Sequence, residues 1–387
     1  MWYFSSPRIV FGENALSELA SIEGKRAFLV TDGNIARLGF VDMVAAQLTA
    51  AGLAYEVFAE VETDPSLQTV VHGAEQMRRY EPDWVIGLGG GSCLDAAKAM
   101  WVLYEHPEMV PEEINPITPL KLRQKARLIT IPTTSGTGAE TTWAIVLTDT
   151  ADAHKWVLGS RENMADMAIV DPAFVLGLPA QITADTGVDA LTHAVEGYTT
   201  TWHNDFCDGL CLQAIKLVFD YLPRAMADGN DREAREKMHN AASIAGLGFG
   251  NTAAALAHAM GHSLGAVFHT PHGRAVGLFL PYTIEFVGQA MAERYGDIVR
   301  LLGIGDGAAG NAAKLLANRI RDLARSIGQP LSLGEAGIQA ADLREKLPKL
   351  VENAEQDATL VLSGRIPDSA ELARLYEYAL EGKSIDF

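Results

Sequence analysis

Short apolar runs alternate with helical segments over the first half of the chain. The runs are rich in aliphatic and β-branched residues and are bounded by Gly, Pro or Asp, as buried parallel strands tend to be. They cover residues 26–31, 55–58, 84–88, 128–131 and 168–170. Segments with helical periodicity, such as 41–51 and 67–80, lie between the early runs. This strand–helix alternation predicts an α/β fold, with a parallel sheet covered by helices on both faces.

The pattern changes near Pro179. From Thr183 onward no run predicts a strand, and Ala- and Leu-rich helical periods follow one another, broken at Gly and Pro. We therefore predict an α/β domain over residues 1–180 and an all-helical domain over residues 181–387. The proline-rich segment 105–127 predicts a long surface excursion of the first domain and not a boundary.

Charge and composition exclude several classes of protein. The 387 residues carry 31 Lys+Arg against 49 Asp+Glu, a formal net charge of −18, whereas a general nucleic-acid binder shows a basic excess. The longest stretch without charged residues, 238–273, contains several histidines and glycines, so it predicts a buried segment and not a membrane span. The chain opens without a signal-peptide pattern, and its three cysteines form no even framework. We expect a cytoplasmic protein with reduced thiols.

A glycine turn follows the predicted strand at 84–88. Gly89, Gly90 and Gly91 allow a ligand to approach the backbone closely, and a helix begins near Ser92. The free N–H groups at a helix N-terminus, together with its positive dipole end, favour a phosphate. The pattern is neither the usual dinucleotide fingerprint nor a Walker loop. The alternative is a tight strand-to-helix turn without a ligand.

Two further strand ends carry polar groups. Asp32 ends the first Val-Thr-Asp strand, where a carboxylate could bind a ribose 2′-OH and repel a 2′-phosphate, which favours NAD over NADP. Taken alone, Asp32 is better explained by a simple turn before Gly33. The loop that includes Thr133 and Thr134, rich in hydroxyls and glycine, leaves another strand. Two such loops at strand ends predict one shared crevice.

Histidines cluster in the second half of the chain. His258 and His262 are four residues apart and share one helix face, and His272 follows in Thr-Pro-His-Gly, which predicts a turn. Asp189 and His193 form another pair with helical spacing. One Asp and three His make a four-ligand N/O site for a divalent transition metal. Each histidine taken alone could instead be a core residue that is hydrogen-bonded to a backbone carbonyl. We prefer this interpretation for His239 and His269.

Together these motifs resemble the iron-containing (group III) alcohol dehydrogenases over nearly the whole chain. The matching segments, in family order, are Gly89-Gly-Gly-Ser-x-x-Asp-x-x-Lys98, Pro132-Thr-Thr-x-Gly-Thr-Gly-x-Glu140, Ile169-Val-Asp-Pro172, Asp189-Ala-x-x-His193, His258-Ala-x-x-His262 and Pro271-His-Gly273. Two positions depart from the family pattern. Cys93 replaces a common Pro, and Ala254-Ala255 replaces a common Leu-Gly.

The resemblance implies a dinucleotide-binding α/β domain, a helical domain and an active-site cleft between them. It implies metal ligands at Asp189, His193, His258 and His272, and it implies that His262 lies near the nicotinamide and substrate. His262 could carry the released proton toward solvent, since imidazole often serves as a general acid or base, and the alternative is a structural residue beside the ligands. The residues that the resemblance implies as cofactor contacts are Asp32, Gly89, Gly90, Gly91, Ser92, Thr133, Thr134 and Lys155. The implied cofactors are NAD and Fe(II), although Zn(II), Co(II) or Ni(II) suit the same ligands.

We therefore expect a metal-dependent alcohol dehydrogenase or aldehyde reductase that transfers hydride between a small or primary alcohol and NAD. We expect no nucleic-acid or membrane partner, and a homodimer or higher homo-oligomer. Two alternatives remain. One is a dehydroquinate-synthase-like lyase that uses NAD transiently, and the other is a catalytically silent nucleotide-binding relative.

Overall fold

The first half of the chain forms a six-stranded parallel sheet. The computed structural model describes residues 3–150, 154–308 and 310–387. The sheet strands are β1 (Arg8–Phe11), β2 (Arg26–Val30), β3 (Ala54–Phe58), β4 (Trp84–Gly89), β5 (Arg127–Pro132) and β8 (Met167–Val170), with β6 (Ala144–Asp149) and β7 (His154–Gly159) forming a separate antiparallel pair. The sheet order is β1-β8-β5-β4-β2-β3. The predicted α/β architecture is therefore confirmed.

Helices cover both faces of this sheet. They are α1 (Gly33–Arg37), α2 (Phe40–Ala50), α3 (Leu67–Tyr80) and α4 (Gly91–Glu105). Alternate residues of β2 belong to different cores, since Phe28 packs with one hydrophobic cluster and Leu29 with another. Every residue of the central strand β4 is buried. A strand buried on both faces has a continuous apolar run, which explains why the sequence predicted it.

Three strands were not predicted from the sequence. The edge strand β1 has partly or fully exposed side chains throughout, and its apolar run is limited to Ile9, Val10 and Phe11. The pair β6 and β7 joins Ala144–Asp149 to His154–Gly159 across residues that lie outside the described part of the chain. Half-exposed strands carry weaker sequence patterns than buried ones, because only one face must be apolar.

The second half of the chain is helical. Its helices are α5 (Ala180–Thr199), α6 (Asp205–Ala227), α7 (Arg232–Gly250), α8 (Leu256–Phe268), α9 (His272–Val287), α10 (Ala292–Leu301), α11 (Ala312–Ser326), α12 (Ala340–Gln356) and α13 (Ser369–Glu381). As predicted, no strand occurs after Thr183 in the residues described. Helix α5 is buried without interruption from Gly187 to Thr199, so the polar residues in this stretch are enclosed by protein.

The chain divides into two compact units, Met1–Leu176 and Gly177–Phe387. One helical run of the second unit, His272–Leu301, is long and apolar enough to cross a membrane by length and composition. However, 67% of its apolar window is buried inside the structure, as expected for a core helix.

Candidate active site

The carboxyl ends of three neighbouring strands carry the polar residues singled out in the first unit. Strand β4 pairs in parallel with β2 on one side and with β5 on the other. Asp32 follows β2, Gly89 ends β4, and Thr133 follows β5. The amide of Thr133 donates to the carbonyl of Gly89 at 3.0 Å. The structure thus brings the glycine turn and the hydroxyl-rich loop together at one edge of the sheet.

The glycine turn is packed too tightly for a side chain at Gly89 and at Gly91. Gly89 has a φ of +151°, and a Cβ on it would lie 2.5 Å from Sγ of Cys93. A Cβ on Gly91 would lie 2.9 Å from the Thr137 methyl group, and one on Gly90 would contact Thr134 at 3.5 Å. Helix α4 begins at Gly91, so its first N–H groups have no acceptor within the helix. This end of the sheet has the features of a phosphate site.

Asp32, which the sequence predicts as a contact of the cofactor ribose, has a structural role in the first unit. Its Oδ1 accepts hydrogen bonds from the amides of Asn34 at 2.7 Å and Ile35 at 3.1 Å, and so caps α1. Its Oδ2 lies 3.4 Å from Sγ of Cys93. Burial raises the pKa of the Cys93 thiol, and the Asp32 charge raises it further, which disfavours the thiolate that a nucleophile needs.

The other predicted cofactor contacts converge on the segment after β3. The Ser92 hydroxyl donates to the carbonyl of Thr63. Lys155, on β7, forms an ion pair with Asp64 at 2.7 Å. Ser92 and Lys155 therefore contact two adjacent residues, Thr63 and Asp64, although β7 does not belong to the main sheet.

In the second unit, helices α5, α8 and α9 bring four predicted metal ligands together. Asp189 and His193 lie one turn apart on α5, His258 is on α8, and His272 is the first residue of α9. One candidate ligand atom from each residue lies within 4.8 Å of all the others. Oδ1 of Asp189 is 3.7 Å from Nδ1 of His193 and 3.4 Å from Nε2 of His272.

The buried polar atoms of this cluster fit a metal ion. Asp189 Oδ1, His193 Nδ1 and His258 Nε2 are enclosed and have no hydrogen-bond partner within the described chain. An unsatisfied buried polar atom is costly, so three at one point need an explanation. A carboxylate and three imidazoles are donors that suit a divalent transition metal.

The protonation states of these ligand-type residues also suit a metal ion. Burial lowers the pKa of His193 to about 3 and that of His258 well below its usual value, which favours the neutral form of both rings. Burial raises the pKa of Asp189, but the surrounding imidazoles outweigh it and the net shift is downward. Neutral imidazoles and an ionised carboxylate are the forms that bind metals.

Glu196 is a site residue that the sequence analysis missed. It lies on the same face of α5 as Asp189 and His193, and its side chain is 5% exposed. Its Oε2 lies 2.6 Å from Nδ1 of His258. Burial raises its pKa to about 7, against the opposing effect of the amides of Ala255 and Ala257. Its helical spacing, two turns after Asp189, was a signal that could have found it.

His262 lies beside the cluster and outside the four-residue set. Its ring centroid is 5.7 Å from that of His258 and 5.3 Å from that of His272. Its Nδ1 contacts Asp357, which follows α12. Asp357 was also missed, because nothing in the sequence joins two segments so far apart.

Two details of the histidine prediction change. The Thr-Pro-His-Gly segment was interpreted as a turn, but His272 opens α9, with Pro271 as its N-cap. A proline beside a helix start fits this position, because its fixed φ and missing N–H cost nothing there. His239 is a buried residue of α7, as predicted, whereas His269 is the exposed C-cap of α8 and not a core residue. Neither belongs to the metal cluster.

Family models match both halves of the chain. Residues 6–172 match the model described as iron-containing alcohol dehydrogenase. Residues 183–380 match the model described as the C-terminal part of the Fe-containing alcohol dehydrogenase family.

Among known proteins, the chain is 40% identical to an NADPH-dependent butanol dehydrogenase from Clostridium saccharobutylicum, covering 100% of both chains. It is 39% identical to a bifunctional aldehyde-alcohol dehydrogenase from Escherichia coli, of which it spans 44%. Among solved structures, an alcohol dehydrogenase from Oenococcus oeni aligns with a TM-score of 0.93 at 30% identity, over 98% of this chain and 100% of that one. A 1,3-propanediol oxidoreductase aligns with a TM-score of 0.91 at 32% identity, with the same coverage.

Proposed function

Because the chain belongs to the iron-containing alcohol dehydrogenase family, we propose that it is a metal-dependent, NAD-linked dehydrogenase of small or primary alcohols that also reduces the aldehydes. The family makes it an oxidoreductase that uses a nicotinamide cofactor and a metal. The proposed metal dependence rests on one observation. Four ligand-type residues converge, and three of their polar atoms are buried without a hydrogen-bond partner in the described residues.

We assign the metal to Asp189, His193, His258 and His272. Fe(II) is the ion we propose, while Zn(II), Co(II) and Ni(II) suit the same donor set. A divalent ion held by these residues supplies Lewis acidity toward an alcohol or carbonyl oxygen. The helical domain, residues 181–387, is thus the proposed metal- and substrate-binding domain.

The α/β domain, residues 1–180, is proposed to bind the dinucleotide. The glycine turn and the first N–H groups of α4 would receive the pyrophosphate, with Thr133 and Thr134 on the facing loop. Asp32, at the end of β2, supports NAD because its charge disfavours a 2′-phosphate. The NADPH dependence in the name of the butanol dehydrogenase belongs to that relative, and it makes cofactor choice the first property to measure.

His262 is proposed to move the proton of the reaction. Asp357 accepts its Nδ1–H, so Nε2 is left to take up or release a proton. Imidazole is the side chain that most often serves as a general acid or base. Asp357 holds the ring in place while the proton moves.

We also propose a homodimer or higher homo-oligomer in the cytoplasm. Strand β1 is an edge strand of the sheet, and its Phe11 is 66% exposed, which suits contact with a second chain. The three cysteines are free thiols, in keeping with a reducing compartment. Light scattering of the purified protein measures the oligomeric state.

The deciding experiment uses the full chain, stripped of metal and then reloaded with Fe(II) or Zn(II) under anaerobic conditions. A panel of primary alcohols and aldehydes is assayed with NAD(H) and with NADP(H). Metal-dependent net formation of NADH from an alcohol supports the proposal. A lyase regenerates its nicotinamide and a silent nucleotide binder forms no product, so either one gives no net NADH.

A further inference from the structure

Glu196 makes three hydrogen bonds at the start of helix α8. Its Oε2 accepts a hydrogen bond from the amide of Ala255 at 2.8 Å and lies 2.6 Å from Nδ1 of His258. Its Oε1 accepts from the amide of Ala257 at 2.6 Å. The carboxylate therefore contacts a predicted metal ligand and the backbone that carries this ligand.

We propose that Glu196 is a positioning residue that fixes the ring orientation and tautomer of His258, and thereby sets the affinity of the enzyme for its metal. This inference rests on the proposed ligand set. The amides of Ala255 and Ala257 both donate to this group, as suits its ionised form. An ionised carboxylate can only accept hydrogen bonds, so beside it Nδ1 of His258 carries the proton and Nε2 keeps its lone pair. Nε2 is the atom of His258 that is buried without a partner in the described chain.

Glu196 also replaces a missing helix cap. Ala255 is the N-cap of α8 and has no side chain that can accept a hydrogen bond. The carboxylate of α5 takes this role by accepting from Ala255 and Ala257, and its charge suits the positive end of the helix. One group thus sets both the start of α8 and the direction of the His258 ring.

An amide cannot perform these tasks together. In Glu196→Gln a single acceptor oxygen replaces two, so at least one of the three donors loses its partner. The negative charge that increases the basicity of His258 is lost as well. Partners of ligand histidines typically contribute about 10–100-fold to metal affinity, and we expect a loss of that size.

Glu285→Gln is a matched control. The Glu285 side chain is also 5% exposed, lies in the same unit and accepts hydrogen bonds from Arg321 and from the amide of Ile385. Within the described residues, Glu285 contacts none of the four predicted metal ligands. This variant makes the same chemical change, so it tests whether a loss of fold stability alone lowers metal affinity.

The experiment titrates the full-length, metal-free proteins with Co(II), following visible absorption and competition with a chelator. Wild type, Glu196→Gln, Glu285→Gln and His258→Ala are compared, and thermal unfolding of each metal-free protein is recorded. We expect Glu196→Gln to bind Co(II) about 10–100-fold more weakly than Glu285→Gln, which should match wild type. Wild-type affinity in Glu196→Gln, with binding lost in His258→Ala, overturns the role of Glu196 alone. Unchanged binding in His258→Ala overturns the ligand set itself.

A second measurement does not require a substitution at Glu196. Long-range ¹H–¹⁵N spectra of the ¹⁵N-histidine-labelled, metal-free protein report which ring nitrogen carries the proton, with His258→Ala identifying the signal. A proton on Nδ1 is expected. A proton on Nε2 instead contradicts the proposal, even if Glu196→Gln does not fold.

Discussion

Nδ1 of His262 lies 2.7 Å from Oδ2 of Asp357. The other oxygen of Asp357 accepts hydrogen bonds from the amide of Thr359 at 2.8 Å and from its hydroxyl at 2.7 Å. Burial raises the pKa of Asp357, but His262 and Thr359 reverse this and hold the pKa below its usual value. His262 is therefore oriented by an ionised carboxylate with both oxygens engaged.

Replacing His262 with Ala should slow turnover and leave metal binding intact. His262 is a proposed proton relay beside the cluster, and general acid–base groups typically contribute about 10²–10⁴-fold to rate. Metal content and turnover are measured on one preparation. A metal-free protein would make His262 a ligand, whereas full activity would leave it a structural role.

Replacing His272 with Ala should open the metal site and spare the fold. The His272 side chain is 36% exposed and begins α9, where alanine is well tolerated. We expect a soluble, cooperatively folded protein that binds NAD nearly as wild type does, because the glycine turn belongs to the other unit. Most metal and nearly all alcohol oxidation should be lost. Stoichiometric metal with normal activity would contradict the four-ligand assignment.

Replacing Gly273 with Ala should weaken metal binding by moving the start of α9. The added Cβ would clash with the carbonyl oxygen of Asp185 and lie 2.9 Å from Cβ of Asp189, so α9 must move away from α5. Overpacking of this kind costs about 1–3 kcal/mol. Gly209→Ala is the control, because its Cβ meets nothing within 4 Å. Equal metal affinity and stability in the two variants would show that the close approach is unimportant.

Replacing Asp32 with Gly should relax discrimination against NADP, since a charge facing the 2′-phosphate is removed. Gly also removes the cap of α1, so Asp32→Asn separates the two effects by keeping a capping side chain without the charge. The ratio of kcat/KM for NADP to that for NAD should rise about tenfold in both variants, equivalent to about 1.4 kcal/mol. Wild-type enzyme that uses NADPH at least as well as NADH would show that the assignment of Asp32 is wrong.

Metal removal should lower the unfolding temperature of the wild type and leave that of His272→Ala nearly unchanged. An ion that binds only the folded state, at about 100 times its Kd, adds about 2.7 kcal/mol of stability. Differential scanning calorimetry with and without a chelator provides the comparison. An equal chelator effect on both proteins would place the stabilising ion elsewhere.

The buried strands and the helical second half were predictable because burial leaves a strong pattern. Helix α3 covers the predicted 67–80, and the fully buried β4 ends one residue beyond its predicted end. Strand β1 was missed because it is short and exposed at both ends, and its apolar run covers only Ile9 to Phe11.

The ligand-type residues were predictable, but their supporting contacts were only partly so. Asp189 and His193 show helical spacing, and His258 and His262 repeat it. Glu196 and Asp357 act through tertiary contacts with His258 and His262. A carboxylate on a helix has many possible partners, and only the packing of α5, α8 and α12 selects one.

Helix α5 alone supplies two of the four predicted ligands, Asp189 and His193. Their separation is set as soon as this helix forms, so pairing them requires no closure of a long loop. His258 and His272 reach the cluster only when α8 and α9 pack against α5. The proposed metal site is thus half local and half tertiary, and an ion bound there would join α8 and α9 to α5.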